Sequence, residues 1–118
     1  MKEIKTPEEL KYAAAIQNTV MDLAEARMLL GYMDGHGYSL YAETDKTYRL
    51  DSEAGGNPNE ESEYEVYSIS ELIDFCCDMN AELIDECEDP ARLRILWRDE
   101  RMLEKLWIRA KRVKQTAA

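Results

Sequence analysis

The sequence predicts an α+β fold: a long N-terminal helix, a small three-stranded antiparallel sheet and two C-terminal helices. Three observations predict it. Helix-start signatures stand at Thr6-Pro7, at Ser68-Ile-Ser-Glu71 and at Asp89-Pro90. Apolar residues after each start recur at spacings of three and four. Between Tyr38 and Ser68 the period falls to two, the spacing of a strand with one buried face.

The first helix is expected over 7–33. Thr6 occupies the N-cap, Pro7 the first helical position and Glu9 the third, a capping box with proline in its preferred slot. Tyr12, Ile16, Thr19, Leu23, Ala26, Leu30 and Met33 then form one stripe, which Gly31 or the Gly35-His36-Gly37 cluster ends. A small sheet is expected over 38–68. Tyr38, Leu40 and Ala42 alternate with polar positions, 44–47 reads as a turn, and Tyr48 and Leu50 continue the pattern. Residues 53–63 carry no apolar pattern and several breakers, so a mobile loop is expected there. Tyr64, Val66 and Ser68 alternate with Glu65 and Tyr67, which predicts a third strand with Tyr67 outward. An acidic helix over 69–88 and a basic and apolar helix over 90–114 complete a single domain spanning 1–118.

Of the 118 residues, 25 are acidic and 15 basic, a formal net charge of −10. That disfavours a plain electrostatic nucleic-acid binder, whose affinity comes from neutralising phosphates. No apolar run reaches the roughly 18 residues of a membrane helix, and the start lacks the apolar stretch of a signal peptide. Three cysteines, two of them adjacent, make a poor disulfide framework, and a cytoplasmic location is expected.

The charge is segregated. Residues 1–91 carry 22 acidic and 6 basic side chains, whereas 92–118 carry 9 basic and 3 acidic. On the acidic helix, Glu71, Asp74, Asp78, Glu82, Asp85 and Glu86 fall within one arc of about 120°. Like charges four residues apart destabilise a helix, so helix stability alone does not account for this stripe. Carboxylates at that spacing stand about 6 Å apart along the axis, close to the interval between successive phosphates. On the last helix, Arg94, Arg98, Arg101, Lys105, Arg109 and Arg112 fall within roughly 80°. The two stripes also admit a reading as solvated faces that partly pair with each other.

Chemistry-bearing motifs are missing. The sequence has no glycine-rich nucleotide loop, no nucleophile elbow and no cysteine pairs at zinc spacing, and His36 is the only histidine. We therefore expect no enzyme, no cofactor and no metal. The expected function is a non-catalytic interaction domain, an inhibitor of a basic partner that handles DNA or RNA. Glu71, Asp74, Asp78, Glu82 and Glu86 would mimic phosphates, with Tyr41 and Tyr67 as anchors. In size, acidity and lack of catalytic motifs the chain resembles small mobile-element inhibitors of the anti-restriction and anti-CRISPR type, a likeness of kind. Two alternatives stand beside it. One is a nucleic-acid-binding module using Arg94, Arg98, Arg101, Lys105 and Arg109. The other is an oligomerising scaffold, a homodimer through the apolar face of the C-terminal helix.

Overall fold

The first helix, α1 (Pro7–Ile16), begins as its sequence predicts. The Thr6 hydroxyl accepts from the Glu9 amide at 3.2 Å, and the Glu9 carboxylate accepts from the Thr6 amide at 3.1 Å. It does not run on to residue 33. Asn18 adopts the left-handed region, φ 61°. The amides of Asn18 and Thr19 turn back to the carbonyls of Ala15 and Ala14, at 3.0 and 2.9 Å. These two bonds form a Schellman motif with asparagine in the position usually held by glycine.

A second helix, α2 (Leu23–Gly35), starts afresh on its own capping box. Asp22 accepts from the Glu25 amide at 2.7 Å, and Glu25 accepts from the Asp22 amide at 3.0 Å. The break divides the expected stripe. Tyr12, Ile16 and Leu23 are exposed, while Leu10 and Ala14 on α1 and Ala26, Leu29 and Met33 on α2 enter the core. Asp22-x-x-Glu25 is the same start signature that marks the other helices, so the sequence carried the signal.

The structure is a computed structural model that describes residues 2–44, 47–52 and 64–116; the side chains at 43–44, 52, 64–67 and 112–116 are not among those described. Four strands, β1 (Lys2–Glu3), β2 (Tyr38–Thr44), β3 (Thr47–Ser52) and β4 (Tyr64–Tyr67), form an antiparallel sheet in sequence order. Strand β1 was not expected, because two residues have no readable period. Gly37, at φ 78°, turns the chain from α2 into β2. Leu40, Tyr48 and Leu50 are buried on the face that the helices cover, and Tyr38 meets Phe75 edge-on at 5.4 Å.

One strand reverses its expected orientation. Tyr67 stands opposite Tyr48, and Val66 opposite Arg49. Directly opposed residues share a face, so position 67 lies on the buried face of the sheet rather than outward. Alternation within a four-residue strand does not reveal which set faces in; the pairing with β3 decides it. The loop expected at 53–63 and the turn positions 45 and 46 lie outside the described residues.

Helix α3 (Ile69–Glu86) is capped by Ser68 and buries Leu72, Ile73, Cys76 and Met79. It leads into α4 (Pro90–Thr116) through only three residues, and the two pack antiparallel, with Asn80 at Leu96 and Cys77 near Glu100. The apolar face of α4, namely Leu96, Leu103, Leu106 and Ala110, is buried in the chain's own core. Those four residues are therefore covered, while Ile95 and Ile108 on the same helix stay exposed. Trp97 is 47% exposed, and Trp107 is half-buried. Among the described residues no helix is long and apolar enough to cross a membrane.

A polar network ties three helices together. Asn80, 2% exposed, donates from Nδ2 to the Tyr32 hydroxyl at 2.8 Å and to the Leu96 carbonyl at 3.0 Å. The Tyr32 hydroxyl donates in turn to Asp99 at 2.8 Å. We expect Asn80→Asp to lower stability by about 3 kcal/mol or more, because a buried carboxylate would face the Leu96 carbonyl where a donor stood. A urea midpoint close to that of the wild type would refute this. Tyr48 poses the opposite case. Its hydroxyl is buried with no hydrogen-bond partner among the described residues. Tyr48→Phe should therefore leave stability unchanged or raise it by about 1 kcal/mol, measured in the same denaturation.

Candidate functional site

The capping box at Ser68 sets the start of α3 and so the direction in which its polar side points. Asp78, Glu82, Asp85 and Glu86 are exposed, and Asp74 is half-buried. Glu71 belongs to the cap: its carboxylate accepts from the Ser68 amide at 3.2 Å and from the Ser68 hydroxyl at 2.9 Å. The stripe is thus a row rising from Asp74 through Asp78 to Glu82 and Glu86, with Glu71 partly engaged at its foot.

The fold adds a second row that stripe-counting missed. Glu100 and Glu104 on α4 lie alongside Asp74 and Asp78 across the antiparallel seam. Sequence reading had classed α4 by its cations, but its wheel carries two carboxylates on the flank next to α3. The signal was available in the three-residue connection, which forces an antiparallel pair and hence a shared flank. Between the rows runs a groove of about 380 Å³ lined by Asp74, Cys77, Glu100, Leu103, Glu104 and Trp107, among others. Lys111 stands over the Trp107 ring at 5.2 Å, and the Trp107 Nε1–H is buried with no partner among the described residues.

The reading in which the acidic and basic stripes pair with each other finds no ion pair between them among the described residues. Among the described residues, no lysine or arginine lies within 4 Å of Asp74, Asp78, Glu82, Glu86, Glu100 or Glu104. The effect shows on Cys77. Burial first, and then the charges of Asp74, Asp78, Glu100 and Glu104, push its thiol up to about 11.

The cationic stripe is divided among three places. Arg109 reaches back across the fold, donating from Nη1 to the Val20 carbonyl at 2.7 Å and to Glu25 at 3.1 Å, so it clamps the corner between α1 and α2. Arg98 stands 3.7 Å from Asp99 at a cleft between α2 and α4. Arg94, Arg101 and Lys105 remain exposed, on one arc with the exposed Trp97 and Ile108.

Tyr41 pairs with Glu3 and Arg49 in the ladder, on the sheet face turned away from the helices. Tyr67 lies opposite Tyr48. Among the described residues no group of three His, Cys, Asp or Glu could hold a metal ion. His36 Nδ1 lies 3.0 Å from the Tyr32 carbonyl, and the buried Cys76 thiol donates to the Leu29 carbonyl at 3.9 Å, its pKa pushed up by burial so that it stays protonated.

The raised thiol has a measurable sign. In the unfolded chain Cys77 ionises near 9, whereas in the fold it holds its proton up to about 11. Between those values the native state binds more protons, so stability should fall as pH rises above about 9. Cys77→Ser should lessen that loss. Alkylation by iodoacetamide at pH 8 should run about a hundredfold slower than for a free thiol. Reaction at the free-thiol rate would show that neither burial nor the carboxylates hold the proton on Cys77.

No family model matches this chain, and neither the curated proteins nor the solved structures contain a match to it.

Proposed function

We propose that this protein is a non-catalytic interaction domain that docks a basic partner through the carboxylates of α3 and α4, and that the partner is one that handles DNA or RNA. The observation that carries this reading is the exposed carboxylate row of α3, with Glu100 and Glu104 of α4 beside its Asp74 end across a groove. Packed helices lie about 8–10 Å apart, and carboxylates within a row about 6 Å apart. Two rows of negative charge at such spacings resemble a stretch of phosphate backbone. The absence of nearby cations among the described residues leaves these rows available to an arginine- or lysine-rich surface. Such a surface would be attracted at long range and held by charge-assisted contacts. Occupying the groove of a nucleic-acid-handling protein in this way would inhibit it. The partner and the cytoplasmic setting belong to this proposal.

The alternative is a nucleic-acid contact through α4. Its supporting observation is the exposed Trp97 between Arg94 and Arg101, an aromatic among cations of the kind that stacks on bases. The charge of −10 opposes it.

Asp78→Lys with Glu82→Lys separates the readings. The reversal should keep the fold, since both side chains are exposed, and should stabilise α3 by a few tenths of a kcal/mol. It should abolish capture of a basic partner from nuclease-treated host extract, and duplex DNA or RNA should compete with the wild type for that partner. Undiminished capture by the reversed variant would overturn the acidic docking face. A gel shift of random DNA or RNA by the isolated protein, weakening steeply with salt, would favour α4 instead.

A further inference from the structure

On the other side of α4, a cleft of about 800 Å³ runs between α2 and α4. Its charge is inverted relative to the chain. Arg27 stands on the α2 wall and Arg92 and Arg98 on the α4 wall, against one carboxylate, Asp99, which already accepts the Tyr32 hydroxyl. In a protein of net charge −10 this is a local excess of cations. Among the described residues neither Arg27 nor Arg92 has a carboxylate within 4 Å. The surface between them is apolar, with Met28 on one wall and Met102 and Ile95 on the other. Ile95 is 51% exposed there, uncovered among the described residues.

The α2 wall has a second peculiarity. Gly31 and Gly35 lie four residues apart and both line the cleft. Glycine inside a helix is destabilising relative to alanine. Yet a Cβ at Gly31 or Gly35 would meet nothing within 4 Å, and neither residue has positive φ. Neither internal packing nor backbone conformation requires glycine there. Their lack of side chains leaves the α2 wall open to close approach by another backbone.

We propose that this cleft receives an acidic amphipathic helix from a partner protein. The walls span Ala24 to Gly35 and Arg92 to Met102, about 15–16 Å, which accommodates three turns of helix. The apolar surface takes a stripe of leucine or isoleucine at spacings of three and four, and the adaptable methionines suit such a stripe. The arginines on both walls take glutamates or aspartates flanking it. The charge complementarity selects this occupant over a basic helix. The site is independent of the carboxylate rows of α3 and α4.

The test is fluorescence anisotropy with a labelled synthetic peptide of about 14 residues, leucines at helical spacing and glutamates elsewhere. Its lysine-for-glutamate counterpart serves as the control. The acidic peptide should bind saturably at concentrations of about 10⁻⁵ M and weaken with salt. Arg92→Glu with Arg98→Glu should weaken it about tenfold or more. Gly31→Ala should raise the melting temperature while reducing binding, a combination that a merely structural glycine does not produce. Ile95→Asp should reduce binding without lowering the melting temperature. Asp78→Lys with Glu82→Lys should leave it unchanged, so failure here and failure of the acidic docking face are distinguishable. Absence of binding, equal binding of the lysine peptide, or binding indifferent to Arg92, Arg98 and Gly31 would overturn the proposal. Binding of dodecanoate at the cleft in place of the peptide would overturn it too.

Discussion

Asn80 is the point on which the helical layer depends. A buried amide has two donors to place, and here one goes to a side chain of α2 and the other to the backbone of α4. The Tyr32 hydroxyl, having accepted, is free to donate to Asp99, so the chain of bonds ends on a carboxylate partly open to water. Apolar burial is non-directional and would tolerate several rotations of α2, α3 and α4 about one another. A satisfied buried network admits few of them. Burial holds the Tyr32 hydroxyl protonated, as the donor role requires, and the neighbouring Asp99 charge acts in the same sense.

The orientation so specified distributes the charge. With Asn80 against Leu96, α3 and α4 share one flank, and Glu100 and Glu104 come beside Asp74 and Asp78. With Tyr32 against Asp99, α2 and α4 share another, and Arg27 comes opposite Arg92 and Arg98. The same network therefore underlies both an acidic groove and a cationic cleft. Arg98 and Glu100, two residues apart in sequence, end on different surfaces because two helical residues turn through about 200°.

The corner between α1 and α2 carries a second constraint. Glu25 is 7% exposed, which is unfavourable for a carboxylate without partners. It has two: the Asp22 amide of its own capping box and the Arg109 guanidinium from the far end of α4. Arg109 also holds the Val20 carbonyl, a backbone group in the link between the helices. The break in the N-terminal helix is thus supported from outside it, and a cation that looked like part of a surface stripe is a structural strut.

By itself the sequence determined the fold class, three of the four helix starts, the strand pattern of 38–52 and the acidic stripe of α3. Each of these is local: a capping box, a period of two or a period of 3.6 is written within a dozen neighbouring residues. The break at Asn18 was written there as well, in Asp22-x-x-Glu25, but an apolar stripe of continuous helical spacing concealed it, since spacing does not show whether the backbone between is helical. Tertiary structure alone decided the remainder. The face of position 67 depends on its pairing with Tyr48 across the ladder. The loss of Arg109 from the cationic stripe depends on Glu25, 84 residues away. The second carboxylate row, the cationic cleft and the burial of the apolar face of α4 arise from how helices are rotated against each other. That rotation is set by a few long-range hydrogen bonds, and no local pattern encodes it.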